Sequence, residues 1–141
     1  MPDDVPAVLF LCVHNAGRSQ MALGWFAHLA GDRAVAWSAG SEPGDRVNPA
    51  AVAAMAEVGI DISTAYPKRW TDEMVEAADV VVSMGCGDAC PFYPGTRYED
   101  WVLDDPFGKT VEEVRPVRDE IGRRVRDLLS RLGAEPIERA R

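Results

Sequence analysis

Apolar positions along the chain switch repeatedly between two periods. Val8-Leu9-Phe10-Leu11 is a short, continuous apolar run of the kind that makes a buried strand. Ala22, Trp25, Phe26 and Leu29 then recur at the spacing of one helical face. Ala34-Val35-Ala36-Trp37-Ser38 reads as a second strand, closed by Ala39-Gly40. A polar loop over residues 41–47, with Pro43 and Gly44, leads to Asn48-Pro49, an N-cap followed by proline at the first helical position. The helix it opens carries Val52, Met55, Ala56 and Val58 until Gly59 stops it. Residues 60–70 form a connecting segment. Thr71-Asp72-Glu73 opens a short helix to Ala78, with acidic residues suited to its first turn. Residues 79–84 form a third apolar strand, and residues 98–103 a fourth.

The last third changes character. Val117, Ile121, Val125, Leu128 and Leu132 describe a long amphipathic helix whose outer face carries Arg118, Arg123, Arg124 and Arg126. Those arginines read as a solvated surface. Pro116 is expected in the first turn, since it would break a helix interior, with residues 111–114 as a separate short helix. Strands alternating with helices predict an α/β fold, a four-stranded parallel sheet with helices on both faces. All 141 residues, 1–141, then make a single domain. In such sheets the ligand sits beyond the carboxyl ends of the strands. Cys12, Ser38, Met84 and Leu103 are expected at those ends, so the loops that follow them should meet on one edge.

Composition narrows the class. The apolar fraction is 47% and the charged fraction 27%, which suits a globular chain. Fifteen basic against twenty-three acidic residues give a net charge of −8, which disfavours nucleic acid and anionic membrane as partners. No apolar stretch is long enough to cross a bilayer, and Met1-Pro2-Asp3-Asp4 lacks a signal peptide's features, so a cytoplasmic protein is expected. Three cysteines do not make a secreted disulfide framework. The two histidines, His14 and His28, have no partner at metal-ligand spacing to Cys86 and Cys90, so no metal site is expected.

The chemistry concentrates in Cys12-Val13-His14-Asn15-Ala16-Gly17-Arg18-Ser19, where five residues separate the cysteine from the arginine. This loop joins a strand end to a helix start, where unpaired backbone N–H groups and the positive helix end collect an anion. Arg18 adds a planar fork for two oxygens of that anion. The same field favours the reactive thiolate of Cys12. Gly17 permits an unusual backbone angle, and Ser19 is expected as N-cap and hydrogen-bond donor to the sulfur. A tetrahedral oxyanion would be wrapped around a sulfur nucleophile.

Two further segments carry titratable or nucleophilic groups. Asp104-Asp105-Pro106 follows the fourth strand. A carboxylic acid on this rigid turn can protonate an oxygen leaving the tetrahedral centre, although the same residues also make an ordinary turn. In Met84-Gly85-Cys86-Gly87-Asp88-Ala89-Cys90-Pro91, two cysteines lie four apart among glycines. On a helix their β-carbons would be about 5–6 Å apart, and a disulfide needs roughly 3.5–4.5 Å. Pairing them requires rearrangement, which Gly85 and Gly87 make cheaper.

The string His14-Asn15-Ala16-Gly17-Arg18-Ser19-Gln20-Met21-Ala22 resembles the nucleophile loop of arsenate reductases built on the low-molecular-weight protein tyrosine phosphatase fold. The resemblance extends over nearly the whole chain, with loop, cysteine segment and Asp-Asp-Pro turn in the right order. It implies that Cys12 attacks arsenic while Arg18 and the loop from Val13, His14, Asn15, Ala16 and Gly17 to Ser19 hold the oxygens. Asp105, directly before Pro106, would be the general acid. Cys86 would then attack Cys12 to form a Cys12–Cys86 disulfide and release arsenite, and Cys90 would move the bond to Cys86–Cys90. No tightly bound cofactor is implied.

An external thiol would reset the enzyme. Thioredoxin is one candidate, although thioredoxin-coupled relatives generally space the last two cysteines further apart. The other is mycothiol with mycoredoxin, for which Cys12 alone among the cysteines would be essential. Leu23 stands where some relatives carry a glutamate that helps bind potassium, so no potassium site is expected. Asn15 and Ser38 would steady the loop by hydrogen bonds. A protein tyrosine phosphatase of the same fold would share Cys12, Arg18, Ser19 and Asp105, with Tyr66, Trp70 and Phe107 walling a phenyl ring. Gln20 and Met21 stand where phosphatases commonly have proline after the serine, and so favour the reductase.

Overall fold

The computed structural model describes residues 5–85 and 97–134. The apolar run at the start becomes β1, Ala7–Cys12, every residue of which is buried. It lies between β2, Val35–Gly40, and β3, Val80–Ser83, while β4, Arg97–Asp100, extends the far edge beyond β3. All pairings are parallel, in the order β2-β1-β3-β4. Register runs from Ala7 opposite Val35 to Cys12 opposite Gly40, and from Val8 opposite Val80 to Leu11 opposite Ser83. A strand with parallel neighbours on both sides and both faces covered has no polar face, which is why its sequence does not alternate.

The strand period of two still separates the faces. Val8, Phe10 and Cys12 point to the main core, built with α1, Arg18–Ala30, α2, Pro49–Ala56, and α4, Val111–Arg131. Phe10 packs edge-on to Phe26 and tilted against Trp101, each at 5.8 Å between ring centroids. Leu9 and Leu11 point to the other face, where Val75 of the short α3, Asp72–Ala77, covers them. Helices therefore lie on both faces of the sheet. Asn48 caps α2 as expected, its side chain accepting the Ala50 N–H at 2.8 Å, and Gly59 takes φ 81° just past the helix end.

Several boundaries differ from the expectation. Residues 111–131 form one helix, with Pro116 inside it. A capping box starts it at Thr110: the threonine side chain accepts the Glu113 N–H, and the Glu113 carboxylate accepts the Thr110 N–H. Buried Val114 and Val117 anchor the helix on both sides of the proline. The carbonyl that loses a donor belongs to Glu112, an exposed residue, so water can replace it. The fourth strand ends at Asp100, not Leu103. β3 stops at Ser83, whose carbonyl takes the Trp101 N–H at 2.8 Å, and among the described residues no strand pairs with residues 101–103.

Arg118 also departs from the outer face assigned to it. It is 8% exposed and donates from Nη1 to the Ala54 carbonyl at 2.9 Å and to Glu57 at 2.8 Å. Its guanidinium thus joins α4 to the end of α2. Arg126 lies over the Trp25 ring, 4.9 Å from the centroid. Arg123 is exposed, as expected.

Candidate functional site

The loop between Cys12 and Arg18 leaves the carboxyl end of β1 and enters α1 directly. Its carbonyls are held from outside: Val13 accepts the Glu42 N–H at 2.8 Å, His14 the Gly44 N–H at 2.9 Å, and Ala16 the Asn48 N–H at 2.7 Å. In a trans peptide the next N–H points opposite to the carbonyl. These bonds therefore turn the His14, Asn15 and Gly17 amides away from the 42–48 backbone and toward the centre of the loop. Gly40, at the end of β2, closes the packing. A β-carbon there would lie 2.6 Å from the Val13 carbonyl oxygen and 2.9 Å from the Asn15 nitrogen.

The left-handed angle falls at Asn15, with φ 51°, while Gly17 takes φ −133° and ψ −85°, outside both the helical and the extended regions. Asparagine tolerates the left-handed region better than most side chains. Gly17 is small for a different reason. A β-carbon there would sit 2.6 Å from Cγ of Pro106, so glycine lets the Asp-Pro turn approach the loop. Gly17 is also the N-cap of α1, which has no side-chain cap. Ser19, expected as the N-cap, lies inside the first turn, with its hydroxyl engaged elsewhere.

That hydroxyl is 2.9 Å from the Cys12 sulfur and accepts the Asn15 Nδ2–H at 2.7 Å. Cys12 itself is 2% exposed. Asn15 Oδ1 accepts from Gln20 Nε2 at 3.1 Å and from the Lys68 backbone N–H at 3.0 Å. The arrangement gives the Cys12 sulfur a hydroxyl partner at the positive end of a helix.

Arg18 supplies the cationic wall. Its Nη1 donates to the Leu103 carbonyl at 3.5 Å, and its Nη2 lies 3.6 Å from Asp105 Oδ2. Its Nε is buried with no partner among the described residues, a donor free for an anion. Asp105 is exposed, and its Oδ1 accepts the Phe107 N–H at 3.0 Å, the local turn that aspartate favours. Asn48 Nδ2 donates to the Pro106 carbonyl at 3.2 Å and ties this turn to α2. A cavity of about 540 Å³ opens over the loop, with Cys12, Arg18 and Asp105 in its lining together with His14, Arg46 and Phe107. His14 Nδ1 is 2.9 Å from the Glu42 carbonyl. That contact needs an N–H at Nδ1, so a neutral imidazole keeps Nε2 as acceptor.

The structure brings Cys12, the loop to Ser19, Arg18 and Asp105 together. Asp104 does not line the cavity. Ser38 does not steady the loop, because its hydroxyl is buried with no partner among the described residues. Of the three aromatic residues, Phe107 alone reaches the cavity. Cys86 and Cys90 lie outside the described residues. Among the described residues no group of three histidine, cysteine or carboxylate side chains is placed to hold a metal, and no helix is long and apolar enough to cross a membrane. Sequence reasoning missed the structural weight of Gln20, Gly40 and the 42–48 segment. A glutamine on the buried side of a helix, directly after the serine, was the available signal.

Comparison with known proteins matches residues 7–138 to the model of the low molecular weight phosphotyrosine protein phosphatase family. Arsenate reductase 1 of Staphylococcus haemolyticus is 41% identical over 128 residues, covering 88% of this chain and 95% of the relative. A solved thioredoxin-dependent arsenate reductase of Corynebacterium glutamicum superposes with a TM-score of 0.80 at 43% identity. The match covers 92% of this chain and 62% of that longer one. An arsenate reductase solved in its phosphate-binding state gives a TM-score of 0.81 at 36% identity, covering 91% of this chain and 99% of the other.

Proposed function

The chain belongs to the low molecular weight phosphotyrosine protein phosphatase family, and on that premise we propose that it reduces arsenate to arsenite at Cys12. The observation that carries the reading is the setting of the Cys12 sulfur. It is nearly enclosed, 2.9 Å from a serine hydroxyl, beside an arginine whose Nε has no partner among the described residues. An oxyanion seated on the loop amides satisfies that Nε, with its central atom over the sulfur. Relatives named arsenate reductases match almost the full chain, which supports arsenate as that oxyanion.

The Cys12 thiolate attacks arsenic(V) and forms an S–As bond. The departing oxygen takes a proton from Asp105 and leaves as water, since unaided hydroxide departure is slow at neutral pH. The close seating of Pro106 on Gly17, which brings Asp105 to the cavity, supports this role. A second thiolate then attacks the Cys12 sulfur. The S–As bond breaks, its electron pair stays on arsenic, and arsenite leaves as arsenic(III). Two sulfurs are joined as a disulfide, so the two electrons gained by arsenic come from the thiols. Cys86 is the internal candidate, with Cys90 to take over the bond. Thioredoxin, or mycothiol with mycoredoxin, is the external reductant. A thioredoxin-dependent relative favours the first.

The test is to mix the fully reduced protein with arsenate, first without and then with each thiol system, and to count arsenite per chain. One arsenite per chain and a Cys86–Cys90 bond, without external thiol, identify the internal relay. Arsenite formed only with a small thiol assigns resolution to that thiol. Cys12→Ser should form none, and Asp105→Asn should lower kcat by about 10²–10⁴-fold. Absence of arsenite under every condition, with an aryl phosphate hydrolysed instead, overturns the reading.

A further inference from the structure

We propose that Gln20 is a positioning residue for the nucleophile, one that, with the Lys68 N–H, sets which way the Ser19 proton points. The inference rests on Cys12 being the attacking group. Gln20 is 1% exposed, in the first turn of α1. Its Nε2 lies 3.1 Å from each of three carbonyl oxygens: the Asn15 backbone oxygen, Asn15 Oδ1 and the Tyr66 backbone oxygen. Only the NH₂ end of the amide can face three acceptors, so the surroundings settle its orientation.

The consequence passes through Asn15. Its Oδ1 receives two donors, Gln20 Nε2 and the Lys68 N–H. A flipped Asn15 amide would set its NH₂ against both of them. The unflipped amide sends Nδ2–H to Ser19 Oγ instead, at 2.7 Å. Having accepted that hydrogen, the Ser19 oxygen has its own to give, and the Cys12 sulfur is 2.9 Å away. The chain of donors from Gln20 to Asn15 to Ser19 ends on the thiolate. Were Asn15 flipped, Oδ1 would compete with sulfur for the serine proton. Gln20 also grips the carbonyl of the residue with φ 51° and ties it to Tyr66, so one side chain supports the loop's backbone and, together with the Lys68 N–H, its polarity.

A glutamine that merely filled a polar gap would affect stability alone. A positioning residue must act on Cys12 reactivity, and through Ser19. The measurement is the alkylation rate of Cys12 by iodoacetamide across pH, read by peptide mass spectrometry so that other thiols do not contribute. Gln20→Met keeps the length and removes the donors. It should slow alkylation at neutral pH about tenfold, as expected for losing the order of a hydrogen bond to a charged group. The rate profile should move to higher pH, and kcat for arsenate should fall more than KM rises. Introduced into Ser19→Ala, the same substitution should change alkylation less than about twofold, because the final donor is already gone.

If Gln20→Met does not fold, Gln20→Asn, which retains the amide one methylene short, should show a smaller shift in the same direction. An unchanged Cys12 alkylation profile in Gln20→Met, or a loss of equal size in the Ser19→Ala background, overturns the proposal. A wild-type protein that forms no arsenite while the alkylation pattern holds would overturn the arsenate reading and leave this one standing.

Discussion

Gly85 sits where two constraints coincide. Its φ is 94°, and a β-carbon would lie 2.5 Å from Arg18 Nη1. The backbone just after β3 is therefore one wall of the arginine's slot. Gly85→Ala should displace the guanidinium and weaken phosphate binding, read by calorimetry, about tenfold. The left-handed angle should add a stability loss of about 1 kcal/mol or more. An unchanged phosphate Kd would show that Arg18 can yield without cost. That Cys12, Arg18 and Asp105 would meet in one cavity was legible in the sequence, because residue type, spacing and the strand ends pointed to it. The reasons behind Gly17 and Gly85 were not. What limits Gly17 is Pro106 and what limits Gly85 is Arg18, both remote in the chain, so each glycine's need for space appears only after folding. Asn15 was legible as a hydrogen-bonding residue but not as the loop's left-handed position, since glycine two residues later is the stronger signal for such an angle.

Elements follow the same division. β1, α1 and α2 were readable because continuous apolar runs, helical periodicity and the Asn-Pro cap are local signals. α4 was readable in its apolar stripe and misread at its start. Proline argues against a helix interior, while the Thr110–Glu113 capping box and the buried Val114 argue for a start before it. The tertiary term won. Packing of Val114 and Val117 against the core carries the helix through a site that lacks one hydrogen bond. Pro116 is exposed, so its removal creates no cavity. Pro116→Ala should raise stability by about 1–3 kcal/mol, seen as a higher urea midpoint at unchanged slope. A lower midpoint would mean that proline's restriction of the unfolded chain outweighs the bond it removes. β4 was overextended because length in a sheet depends on the neighbour, and β3 offers only four residues.

At the scale of the whole molecule, a chain of net charge −8 places two of its carboxylates where they clamp α4 to the rest. Glu57, at the end of α2, pairs with Arg115 at 2.7 Å and Arg118 at 2.8 Å, and Glu99 of β4 pairs with Arg131. The hydrogen bonds from Arg115 and Arg118 lower the Glu57 carboxyl from 4.5 to about 2. Arg131 lowers Glu99 in the same direction, against a smaller opposing effect of burial. Neither pair was visible in the sequence, since each joins residues from separate elements. A carboxyl depressed in the folded state binds its proton first in the unfolded chain. Its stabilisation is therefore complete above the ordinary carboxylate range, and for Glu57 it is lost as pH falls from about 4.5 through about 2. Glu57→Gln should be less stable than the wild type at neutral pH, and the gap in urea midpoint should close as pH drops through that window. Other carboxylates titrate alike in both proteins and cancel in the difference. Because Arg118 and Glu57 hold α4 to α2, and Asn48 at the start of α2 holds the Pro106 turn, loosening the clamp should lower arsenate turnover in the same acid range. A gap that stayed constant down to pH 3 would show that the pair contributes by shape alone, with no share in the protein's acid limit.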